Sequence, residues 1–80
     1  MLTLIERHWL YQSISTEVPF GPNYASNISA TIVELIDGSG KRLLEDGYGV
    51  EVEPIQILVN PLRDSFLITV VSRGRKPRGS

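Results

Sequence analysis

Apolar positions along the chain fall into four regions separated by turn-forming residues. Residues 2–15 are rich in Leu, Ile, Trp and Tyr and contain neither glycine nor proline. Leu2, Leu4, His8, Leu10, Gln12 and Ile14 share one alternating set, and Thr3, Ile5, Arg7, Trp9, Tyr11 and Ser13 share the other. This pattern predicts a strand with two mixed faces, although helical spacing also groups Leu2, Ile5 and Trp9. The next segment, Val18-Pro19-Phe20-Gly21-Pro22-Asn23-Tyr24, breaks regular structure. Its prolines fix φ and remove backbone donors, while its glycine admits turn conformations, so a loop carrying Phe20 and Tyr24 is expected. Residues 27–36 are dominated by β-branched and aliphatic side chains and are read as a strand. Asp37-Gly38-Ser39-Gly40 then reads as a tight hairpin with residues 41–45 as the return strand. The alternative for residues 40–47 is one or two turns of helix closed by Gly47 in a left-handed conformation.

Val50, Val52, Ile55, Ile57 and Val59 form the third apolar region, interrupted by Pro54. A proline cannot donate to a ladder, so it marks an edge, a bulge or a strand boundary. Residues 60–64 turn the chain, and residues 65–72 form the last strand. Phe66, Ile68 and Val70 occupy one face of it and Leu67, Thr69 and Val71 the other, which suits a central or interface position. The expected fold is mainly β: a small sandwich, a partly open barrel or a swapped-hairpin dimer of four to five strands with at most one short helix.

With 80 residues, 41 % of them hydrophobic and 21 % charged, there is room for one folded domain, taken as residues 1–72. Such a domain buries only about 60–65 % of its unfolded surface, so self-association is expected to add stability. With no cysteine, disulfides cannot contribute. The start of the chain is too short in apolar residues and too charged for a secretory signal, and no run suits a membrane span; a cytoplasmic location is expected. Charge is uneven: residues 1–72 carry four basic residues against nine acids, while Arg73, Arg75, Lys76 and Arg78 face no acid in residues 73–80. That end is read as an ordered strand end passing into a flexible basic tail.

Candidate chemistry is sparse. His8 is the single histidine, so any Ser/His/Asp triad must use it, and no glycine-flanked serine forms a nucleophile elbow. One histidine without cysteine gives no zinc motif, and Asp37-Gly38-Ser39-Gly40 is too short for a calcium loop. No enzyme, metal or cofactor is expected. The leading expectation is a small protein-interaction module, of inhibitor or assembly-accessory type. It would act through an unpaired strand edge and the aromatic anchors Phe20, Tyr24 and Trp9, on another protein or on itself as a homodimer. The alternative is a nucleic-acid-binding dimer in which Arg73, Arg75, Lys76 and Arg78 touch phosphates.

Residues 35–48, Leu-Ile-Asp-Gly-Ser-Gly-Lys-Arg-Leu-Leu-Glu-Asp-Gly-Tyr, followed by residues 50–53 and 66–69, resemble the SymE-like branch of the AbrB-type swapped-hairpin proteins. Gly40 and Gly47 keep that family's seven-residue interval, and Leu43 and Tyr48 occupy its leucine and aromatic positions. Arg42 stands where tryptophan is usual, and the second glycine after the aromatic is displaced. The resemblance implies an intertwined dimer with nucleic-acid binding or a toxin-like role.

Overall fold

The computed structural model describes residues 2–6, as backbone alone, and residues 9–76. His8 and Arg78 lie outside the described residues. The element order is β1 (Leu2–Glu6), β2 (Trp9–Pro19), α1 (Tyr24–Glu45), β3 (Val52–Pro61) and β4 (Ser65–Arg75). All pairings are antiparallel, and the strands lie in the order β1-β2-β4-β3 in one open sheet. The fold is therefore neither a sandwich nor a barrel, because one face of a single sheet is covered by a helix and its two outer strands remain edges. As its two-sided apolar pattern predicts, β4 lies inside the sheet.

The 22-residue helix replaces the strand, hairpin and return strand expected over residues 27–45. Ile28, Ile32, Leu35, Ile36, Ser39 and Leu43 recur at intervals of three to four, so one stripe turns towards the sheet and becomes progressively buried towards Leu43. Packing of that stripe overrides the weak helix propensity of the β-branched run and of Gly38 and Gly40. The helix ends as the alternative reading proposed. Gly47 has φ of 86°, its N–H donates to the Leu44 carbonyl at 3.1 Å, and the Tyr48 N–H donates to the Leu43 carbonyl at 2.7 Å. These two bonds form a Schellman turn that satisfies the last carbonyls of the helix.

α1 lies over β2 and β4. The core between them consists of Leu10, Val18, Leu43, Ile68 and Val70, with the polar residues Gln12, Ser39 and Ser72 also buried. Ser39 and Ser72 are small enough to let helix and sheet approach closely, and their hydroxyls bond across the interface at 2.8 Å. At the same end of the sheet, Gly74 lies directly under the Tyr48 carbonyl and Leu43, where a Cβ would collide. Gln12 donates to Asp46 at 3.2 Å, tying β2 to the end of the helix.

A candidate interaction edge

β3 is the edge strand on the side away from β1, and all ten of its residues are exposed. Register places Ile57 and Val59 beside Val70 and Ile68 of β4, whose side chains face the helix, and Val52 beside Gly74. α1 does not reach far enough across the sheet to cover them, and they stay 44 %, 42 % and 39 % exposed. On the opposite face Leu58 pairs with Thr69 and is also exposed. β3 is thus uncovered on both faces, with Ile57 and Val59 on the helix side and Leu58 between Gln56 and Asn60 on the other. Among the described residues, eleven large hydrophobic side chains are exposed against five buried, and seven of the eleven lie between Val50 and Leu62. A shallow apolar cleft of about 390 Å³ continues this surface between Ile36, Gly40 and Leu44 of the helix and Gly49 and Val52.

The backbone of the edge follows from antiparallel alternation. The Leu62 N–H donates to the Ser65 carbonyl at 2.7 Å, so Leu62 belongs to a hydrogen-bonded pair with β4. Every second residue repeats that arrangement, so Asn60, Leu58 and Gln56 turn their amides inwards and Val59 and Ile57 turn theirs to the free edge. Pro61 offers no N–H at one limit of this stretch. At the other, Pro54 and the register shift between Pro54 and Gln56 interrupt the ladder. Placement of proline and a bulge at an edge matches the sequence expectation for Pro54.

The aromatic residues singled out in the sequence sit around this surface in two groups. Phe20 follows the end of β2, and Tyr24 opens α1 rather than lying in the loop. Phe20 packs edge-on against Phe66 with centroids 4.6 Å apart, and Tyr24 stacks on the same ring at 5.6 Å. Phe20 and Tyr24 remain about half exposed. Phe66 pairs with Pro61, so the aromatic group continues the β3 surface at its far end. Trp9 is distant in register, at the opposite end of β2, where the Arg73 guanidinium lies 4.2 Å from its ring centroid.

The basic residues are placed differently from the sequence expectation. β4 runs to Arg75, so Arg73 and Arg75 belong to the sheet and not to a tail. Arg73 donates to Glu53 at 2.6 Å and Arg75 to Glu51 at 2.7 Å. Hydrogen bonds to Tyr11 and then Glu53 push the Arg73 pKa above its ordinary value. Both cations are therefore matched by acids of residues 1–72, the part of the chain that carries all nine. Lys76 follows β4 and is half-buried.

Residues 35–45, which carry much of the family resemblance, lie within α1. No family profile, characterised protein or solved structure matches the chain. Among the described residues there is no cluster of three metal-binding side chains and no helix long and apolar enough to cross a membrane. The sequence signal for β3 was present in Pro54 and the apolar run; Leu58 and Val59 become edge residues only through strand order.

Proposed function

We propose that this chain is a non-enzymatic protein-interaction module that accepts an added strand along the free edge of β3. The observation carrying this reading is that β3 is exposed at all ten positions and leaves Ile57, Leu58 and Val59 uncovered. Long apolar edges attract strand addition unless charge, proline or a covering element blocks them. Here Pro54 and Pro61 limit the open stretch but do not close it. Main-chain hydrogen bonds would supply register, and Ile57, Leu58 and Val59 would supply the apolar contact area. The patch of Phe20, Tyr24 and Phe66 extends this area at the end of the strand, with Phe20 edge-on to the Phe66 ring and Tyr24 stacked on it.

A pull-down from the native host, comparing the full chain with Ile57→Lys/Val59→Lys, tests the reading. The variant should lose its partner while keeping its far-ultraviolet circular dichroism, because both side chains are already exposed. Phe20→Ala/Tyr24→Ala should weaken capture without abolishing it. Full capture by the lysine variant overturns the edge as the working surface.

A further inference from the structure

We infer that the occupant of the β3 edge is β3 of a second copy of this chain, paired antiparallel about a two-fold axis at Leu58. The inference rests on the interaction reading above and names its partner.

The first argument is area. The chain exposes 5462 Å², whereas a compact chain of 8.9 kDa exposes about 4,800 Å². The surplus is roughly 650 Å² over the whole chain, against the ~800 Å² that each partner contributes to a stable interface, and seven of the eleven exposed large hydrophobic side chains lie between Val50 and Leu62. The second argument is charge. A two-fold axis sets like residues near like, which a charged edge does not tolerate. The stretch Ile55-Gln56-Ile57-Leu58-Val59-Asn60 carries no charge, so no repulsion opposes pairing with itself.

The third argument is register. With the axis at Leu58, Ile57 of each copy faces Val59 of the other. The free N–H and C=O of both residues are then all satisfied, in four inter-copy hydrogen bonds. Leu58 meets Leu58 of the second copy on one face, and Gln56 meets Asn60, so apolar faces apolar and amide faces amide. Moving the axis to Val59 would set Ile57 against Pro61, which has no N–H to return, and Leu58 against Asn60. Moving it to Ile57 would set Val59 against Ile55, inside the bulge. The Leu58 register sets Ile55 against Pro61 at each end, so both irregular positions fall together outside the paired stretch from Gln56 to Asn60. It yields one eight-stranded sheet with both helices on the same face, and Ile57 and Val59 of the two copies form a continuous apolar strip between them.

The absence of cysteine permits a direct test in the full chain. Leu58→Cys should oxidise to a disulfide-linked dimer, since directly opposed residues of a non-hydrogen-bonded pair lie about 4.5 Å apart at Cα, within disulfide reach. Gln56→Cys should not, because its two copies would be separated by four residues of strand, roughly 13 Å. The unmodified chain should sediment at twice 8.9 kDa. Val59→Pro, which removes an outward donor and spares the ladder to β4, should raise the dimer dissociation constant at least about tenfold. Should that variant misfold, the comparison of the two cysteine variants still decides. Sedimentation of the unmodified chain as a monomer at high micromolar concentration overturns the inference but not the edge reading, provided a host protein is still captured through β3. Equal cross-linking of Gln56→Cys and Leu58→Cys overturns the register. A dimer unaffected by both Val59→Pro and Ile57→Lys/Val59→Lys overturns the inference and the edge reading together.

Discussion

Gly74 shows how a single atom governs this fold. A methyl group there would meet the Tyr48 carbonyl, which is itself fixed by the Schellman turn, so neither side has room to give. Gly74→Ala should lower unfolding stability by about 2 kcal/mol through overpacking, read as a fall in the urea midpoint with an unchanged slope. Gln12 is a contrasting case: fully buried, it donates to Asp46 but leaves its Oε1 without a partner. Replacement by methionine, of similar length, removes that unsatisfied acceptor, and Gln12→Met should change stability by less than about 1 kcal/mol in either direction. Residue-level readings from sequence succeeded where chemistry is local, as for the φ > 0 role of Gly47. They failed for Arg73 and Arg75, whose partners Glu53 and Glu51 stand 20 and 24 positions away in the chain and are delivered only by the β3–β4 register.

The largest difference between sequence and structure lies in α1. Residues 27–36 favour strand by propensity, and Gly38 and Gly40 punctuate the chain as a hairpin would. What settles the matter is the apolar stripe from Ile28 to Leu43, which finds a face formed by β2 and β4. Gly40 has Val52 near the place its Cβ would occupy, whereas Gly38 has open space there. Gly38→Ala should therefore stabilise the helix by about 0.5–1 kcal/mol, visible as a higher Tm. Gly47→Ala should destabilise by about 1 kcal/mol, because its positive φ strains any side chain. The two alanine substitutions, nine positions apart, should move Tm in opposite directions, and the same sign for both would contradict the helix and its cap. β3 and β4 were legible as elements because their β-branched runs are bounded by proline and turn residues.

At the scale of the molecule, the shape is elongated, with a radius of gyration of 14.0 Å where about 12 Å suits 80 residues. A 22-residue helix laid over an open sheet covers the middle strands and leaves β3 bare. Stability should consequently depend on protein concentration: Tm should rise as concentration rises for the unmodified chain and stay constant for Ile57→Lys/Val59→Lys. Salt should alter this little, since the uncharged stretch from Ile55 to Asn60 makes contact through backbone and apolar groups. Chain length and the lack of cysteine are what raise the expectation of self-association. The location of the free edge was not legible in the sequence, because an edge is a property of strand order.

The sequence alone determined which segments are apolar, where glycine and proline interrupt them, and that the chain holds one histidine and no thiol for chemistry. Those are local properties, written in side-chain type and backbone freedom. The tertiary structure decided that residues 24–45 are helical, that Glu51 and Glu53 neutralise Arg75 and Arg73, and that β3 lies outermost. Each of these depends on free energy gained between residues distant along the chain, where burial against β2 and β4 outweighs local preference.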